Sequence, residues 1–384
     1  MKILRVPVML ICVLTLCGLL GQAPAEEWHI ETDGLELMEN SLAYPVLSGG
    51  KDEEALDRIN EMIREETKIP DYLTRISQLI SGGSLRVTWE GGVLGDIFSC
   101  AVSAEGALNT GRWEHAWTWA TVDLAEERQV AWADLTGDEA ALRGRIETLL
   151  EEKIAPELSD HLQSSELTPL PEGFRLTKPG LILLYPARQL STLTEHAGSV
   201  RLAWSDLEED LDLREGSVLE RAGIDQQLRL DSASAEALRR MTEAGAFPDI
   251  PARLGDALQE ITDRFPLLMD PDLYAGGRLF SLEGADFQQV QLLTDDLTRD
   301  WENSRVEGIR LNQGCVWGLR IGETAKEAWR AELGEPETTV TVTEEAAEQW
   351  RVPAGECDYY AWGEHRLCLY ADEEGLLSCV LLQE

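Results

Sequence analysis

Trp113-Glu114-His115-Ala116-Trp117-Thr118-Trp119-Ala120-Thr121-Val122-Asp123-Leu124 alternates large and small side chains with period two. That is the period of a strand, so Trp113, His115, Trp117 and Trp119 share one face of it. Outward from this strand, residues 85–89 and 97–102 read as strands parted by Gly91-Gly92. Residues 174–176, 181–185 and 199–204 read as three more. Helical stripes interrupt them. Ala55, Leu56, Ile59, Met62 and Ile63 recur at helical spacing behind acids at 52–54, and Leu142, Ile146, Leu149 and Leu150 mark a second amphipathic helix. Strands and helices do not alternate regularly, so the expected class is α+β, with a mixed helix and antiparallel-sheet domain over residues 26–214.

Residues 215–247 read as a helical connector, with a helix over 235–244 capped by Ser234 and stopped by Gly245. The remainder reads as a duplication. Leu254-Gly255-Asp256 leads into a helix carrying Leu258, Ile261 and Phe265, and Ile321-Gly322-Glu323 into one carrying Ala325, Ala328, Trp329 and Leu333. Each helix precedes three strands, at 278–282, 287–293 and 306–311 and then at 358–362, 366–370 and 376–382. Two helix-plus-three-strand repeats, 248–312 and 313–384, are expected.

The amino terminus has the three-part pattern of a secretory leader. Lys2 and Arg5 start it, 8–20 is apolar, and Ala23-Pro24-Ala25 offers a cleavage site after residue 25. Cys17 permits a lipoprotein reading, which bulky Leu16 disfavours. Extracellular or wall-associated residence is the expectation, with no transmembrane segment in the mature chain. The formal charge of −38 repels nucleic acid and attracts cationic partners.

Catalytic motifs are lacking. There is no Gly-x-Ser-x-Gly, His-Glu-x-x-His, Walker or dinucleotide-binding pattern, and no Cys-x-x-Cys pair, so no metal or cofactor is expected. Asp206 to Asp212 echoes a calcium loop but has Leu211 where the glycine belongs. Asp270-Pro271-Asp272 reads as a turn. Of the five cysteines beyond the leader, Cys368 and Cys379 flank a hairpin turn. A two-residue loop would oppose them and allow a disulfide, whereas a three-residue loop ending in Gly375 would put them on opposite faces. The binding candidates are Trp113, His115, Trp117 and Trp119, which either stack on a ligand or pack as core beneath a helix. Tyr360, Trp362 and Tyr370 form a weaker second stripe.

Tyr44-Pro45-Val46-Leu47-Ser48-Gly49, then Val122-Asp123-Leu124 with Trp132-Ala133-Asp134-Leu135, then Phe174 to Tyr185 with Gly198 and Trp204-Ser205-Asp206-Leu207, form an ordered set. This set resembles the extracellular module of RsiV-type anti-sigma factors, also found ahead of some peptidoglycan deacetylases (domain-of-unknown-function families 3298 and 4163). The resemblance implies a non-catalytic module that senses lysozyme or associates with cell-wall glycan. Leu108 departs from it, following Gly106-Ala107 where the family often has histidine. The C-terminal repeats resemble helix-plus-sheet modules of the β-lactamase-inhibitor type, which implies protein contacts. The alternatives are a wall-polymer enzyme using dispersed carboxylates and an accessory envelope protein without soluble ligand.

Overall fold

The computed structural model describes residues 28–37, 39–79, 83–107, 113–150, 171, 173–185, 198–247, 250, 252–262, 267–282, 290–295 and 304–384. The leader, Leu108 and the end of the first repeat helix at Phe265 lie outside the described residues. The class is α+β. Contacts divide the chain into two units: one takes residues up to 177 with 181–200 and 209–222, the other takes 178–180, 201–208 and 223–384.

The first unit is built on β1 (His29–Leu37), β2 (Asn40–Ser48), α1 (Glu53–Glu66), α2 (Ile69–Gln78), β3 (Leu85–Leu94), β4 (Ile97–Ala107), β5 (Trp113–Asp123) and β6 (Arg128–Gln129). Its six strands lie in sequence order, antiparallel except between β2 and β3. Helix α1 begins where Asp52 accepts the Ala55 N–H at 2.9 Å, and Glu53 and Glu54 complement the positive end of its dipole. It buries Ala55, Ile59 and Ile63. Helix α2 was not legible in the sequence. It starts from Lys68 in the left-handed region and buries Ile69, Tyr72 and Ile76.

Both helices cover the sheet face that carries Phe98, Cys100, Val102, Ala104, Ala120 and Val122. The Gly91-Gly92 pair does not end a strand, because β3 runs through it. A Cβ on Gly91 would lie 2.6 Å from the Cys100 Cα, so β3 passes too close to β4 there for any side chain. Next come α3 (Glu139–Leu149), capped by Asp138, and a three-stranded sheet of β7 (Gly173–Leu176), β8 (Gly180–Tyr185) and β9 (Gly198–Ala203). Short helices α4 (Trp204–Leu207), which belongs to the second unit, and α5 (Val218–Arg221), in the first, follow.

The second unit contains α6 (Ile224–Leu228), α7 (Ser232–Ala244) and α8 (Leu258–Thr262). β10 (Leu267–Tyr274), β11 (Gly277–Leu282), β12 (Val290–Thr294) and β13 (Val306–Leu311) come next, then a ribbon of β14 (Cys315–Val316) and β15 (Leu319–Arg320). The chain closes with α9 (Lys326–Leu333), β16 (Thr338–Val342), α10 (Glu344–Trp350), β17 (Gly355–Trp362), β18 (His365–Ala371) and β19 (Leu377–Gln383). Helix α7 is longer than its pattern implied and is capped by Asp231, whose carboxylate accepts from Ala233 and Ser234, while Gly245 ends it in the left-handed region. The segment read as a connector packs Leu238 and Met241 into the same core as Trp329, Leu367 and Leu369.

The repeat segments build one continuous antiparallel sheet of order β10-β11-β12-β13-β19-β18-β17-β16. Each half has a fourth strand that the sequence concealed, β10 and β16. The backbone of Asp270-Pro271-Asp272 is part of β10, at a register shift, rather than a free-standing turn. Equivalent hydrogen bonds recur in the halves. The Gly255 N–H donates to the Val306 carbonyl at 2.8 Å and the Gly322 N–H to that of Leu377 at 2.6 Å. Ala257 bridges to Arg305, and Ala325 to Leu376. Both glycines hold positive φ, +84° and +88°, so the turn ahead of each helix requires the residue that the sequence repeats.

Candidate functional site

β5 pairs with β4 along its whole length, setting Trp119 opposite Ala101, Trp117 opposite Ser103 and His115 opposite Glu105. These residues share a face, but it is the face opposite the helices. The even-numbered residues of β5 turn to α1 and α2, and the aromatic stripe turns to β7 and β8. Trp117 and Trp119 are half-buried against Ala101, Ile182 and Leu184. The Trp119 ring lies on the Gly173 backbone so closely that a Cβ there would sit 2.5 Å from it. Trp119 is therefore largely a packing residue. For Trp113, only its place on β5 opposite Ala107 is described.

His115 is buried, and its Nε2 lies 2.9 Å from the Ser103 Oγ. Its ring meets Trp117 at 5.2 Å between centroids, tilted by 58°. Trp117 is the unusual member. Its indole N–H is buried and has no hydrogen-bond partner among the described residues. Leaving such a donor unpaired costs about 1–3 kcal/mol.

Fixed polar contacts hold this face in position. Ser99 and Thr121 hydroxyls meet at 2.9 Å, and Ser99 also accepts the Leu176 N–H at 2.9 Å, docking β7. Arg175 of β7 pairs with Glu90 of β3 at 2.9 Å. At the far end of β5, Asp123 is fully buried against Arg221.

The second aromatic stripe does not exist as one surface. Tyr360 and Trp362 stack at 5.5 Å on the helix-covered side of the sheet. Tyr370 pairs with Cys357 on the other side. The cysteines need a similar correction. Cys368 and Cys379 lie on the same face, contrary to the three-residue-loop expectation, because a bulge at Ala371 and Leu377 adds a residue to β19. They are diagonal neighbours, since Cys379 opposes Tyr370 and Cys368 opposes Leu381, and both are free thiols.

Burial pushes the Cys100 and Cys379 thiols up to about 12, and Cys315 to about 11. A hydrogen bond with Cys357, then burial, raises Cys368. At pH 8 an aromatic disulfide reagent should therefore titrate the five described thiols slowly in native protein and promptly after denaturation. Prompt reaction of two or more native thiols would contradict this packing.

One feature had no sequence signal. A cleft of about 390 Å³ is lined by Leu279, Arg310, Ala347, Glu348, Arg351 and Val352, which come from separate segments. Buried Arg310 donates to the Gln291 side chain and to the Arg351 carbonyl, closing the carboxyl end of α10. Among the described residues, no three histidine, cysteine or acidic side chains are grouped to hold a metal ion, and no helix is long and apolar enough to cross a membrane.

No protein-family model matches this chain, and no curated protein does. Several solved structures are similar to it, among them the following three. A DUF3298 family member from Bacteroides fragilis is 12% identical and aligns over 52% of this chain and 97% of its own, with a TM-score of 0.40. A DUF3298 family protein from Pseudomonas aeruginosa is 13% identical over 49% and 94%, with a TM-score of 0.36. A DUF4309 family protein from Bacillus subtilis is 13% identical over 40% and 97%, with a TM-score of 0.25.

Proposed function

We propose that this chain is an exported, non-catalytic binding protein of the bacterial cell envelope, and that its first unit engages a cationic protein of the lysozyme type through the β5 face. The observation that carries this reading is the half-buried ring of Trp117 beside that of His115, with an indole N–H that has no partner among the described residues. A half-buried aromatic with an unpaired donor is the kind of residue that anchors a partner. The formal charge of −38 supports a cationic partner, because complementary charge speeds encounter and suppresses wrong partners. The leader pattern supports export. Cell-wall glycan is the second ligand that an aromatic face suits.

The test is titration with lysozyme at low and high salt, beside co-sedimentation with purified wall sacculi. Binding is expected to weaken steeply with salt. Trp117→Phe removes the N–H together with part of the packed ring, and should weaken binding about tenfold. Trp117→Ala should weaken it more, by about 2 kcal/mol or above. Lysozyme binding unaffected by Trp117→Ala would overturn the assignment of this face. Binding to sacculi alone would move it to glycan.

A further inference from the structure

The eight-stranded sheet of the second unit has two edges, and they are built differently. β10, at one edge, runs through Asp270-Pro271-Asp272, and its register against β11 shifts between Met269 and Leu273. Acids, a proline without an N–H and a bulge all prevent an edge strand from pairing further. β16, at the other edge, has none of these. Thr338-Thr339-Val340-Thr341-Val342 is β-branched throughout, uncharged and free of proline, and its register with β17 is unbroken. Residues 338–341 are all exposed, Val340 to 40%. The outward N–H and C=O groups of such a strand stand at the spacing that an added strand needs.

Charge selects the occupant. Glu335 and Glu337 precede the strand, Glu344 and Glu345 follow it, and all four are exposed. Antiparallel pairing with a second copy, centred on Val340, would set Glu335 opposite Glu345 of that copy, and opposed like charges destabilise a strand pair. Basic residues on both sides of an extended segment would meet these acids favourably. We infer that β16 is a strand-addition site for an extended polypeptide segment with an uncharged, β-branched centre and basic flanks. This surface lies on a different unit from the Trp117 face and does not rest on the function proposed for that face.

The probe is the synthetic peptide Lys-Lys-Val-Thr-Val-Thr-Val-Lys-Lys, titrated calorimetrically into the protein, with backbone hydrogen exchange as second readout. Saturable binding is expected, with new amide protection confined to β16 and affinity falling about tenfold from low to high salt. The same centre flanked by glutamates should not bind. Val340→Lys places a charge on an exposed edge position, where folding tolerates it, and should lower affinity about tenfold. Val340→Thr should bind like the parent, and so should Trp117→Ala. Absence of binding would overturn the proposal. So would equal binding to Val340→Lys, which would reduce the contact to diffuse charge. Dimers held through β16 would make a second copy the occupant instead.

Discussion

Asp358→Ala is expected to destabilise the second unit by about 3–5 kcal/mol, the cost of removing one partner from a buried charge network. Asp358 is 1% exposed at the start of β17's central stretch. Its carboxylate accepts from Arg330 Nε at 2.7 Å, Arg330 Nη2 at 2.5 Å, Thr339 Oγ1 at 2.7 Å and the Trp329 indole at 3.1 Å. The alanine variant would leave the Trp329 indole without an acceptor at a depth where it cannot recover water, while Arg330 and Thr339, which reach solvent and bond each other, would lose only their carboxylate. Burial alone would raise the Asp358 pKa, but bonds from Arg330, Thr339 and Trp329 outweigh it and hold the carboxyl below its ordinary range. A carboxylate depressed in this way contributes its stability in full above about pH 4, its unfolded value, and loses it as pH falls through the folded value. Urea denaturation followed by tryptophan fluorescence should show a lower midpoint for Asp358→Ala at pH 7 and a shrinking difference from the parent below about pH 4. A midpoint unchanged at pH 7 would show that the network carries no net stability.

Asp123→Ala is the matching change in the first unit, and a loss of similar size, about 3–5 kcal/mol, is expected. Asp123 ends the aromatic strand at 0% exposure. Its carboxylate takes two guanidinium N–H groups from Arg221, one at 2.9 Å, and the backbone N–H groups of Ala125 and Glu126 at 3.1 and 3.0 Å. It therefore ties the α5 segment to the sheet and shapes the turn into β6. Burial raises its pKa, while Arg221 and the Glu126 amide lower it further, leaving it depressed. The sign is the same as for Asp358, with the contribution present above about pH 4 and lost below. Arg221→Leu should cost at least as much, because it leaves the fully buried Asp123 carboxylate without its counter-charge, whereas Asp123→Ala leaves an arginine that reaches solvent. A clearly smaller loss for Arg221→Leu would mean that the two amide donors suffice to hold the acid.

The two networks explain why parts of the fold were unreadable. Asp123 and Arg221 stand 98 residues apart, and nothing local to either names the other. In a chain this acidic, a structural carboxylate looks like every solvated one. Helix α2 begins from a left-handed lysine, which no propensity signals. β16 is exposed along residues 338–341, so it lacks the alternation that marks a half-buried strand. The aromatic stripe was legible as a stripe, since period two is a property of the strand itself. Which layer lay against it was not, because α1 and α2 cover one face of β5 while β7 and β8 cover the other only in part, leaving Trp117 and Trp119 half-buried.

The sequence by itself determined the α+β class, strand β5 with its shared aromatic face, the body and start of α1, and the paired glycine turns ahead of α8 and α9. Each of these rests on interactions within a few residues, where backbone geometry and side-chain period act directly. Only the tertiary structure decided that the repeat segments form one sheet, that the buried Trp117 N–H has no partner among the described residues, that a bulge brings Cys368 and Cys379 to one face, and that β16 rather than β10 is the open edge. These depend on register and on contacts between distant segments, whose closure is driven by burial that no local pattern encodes.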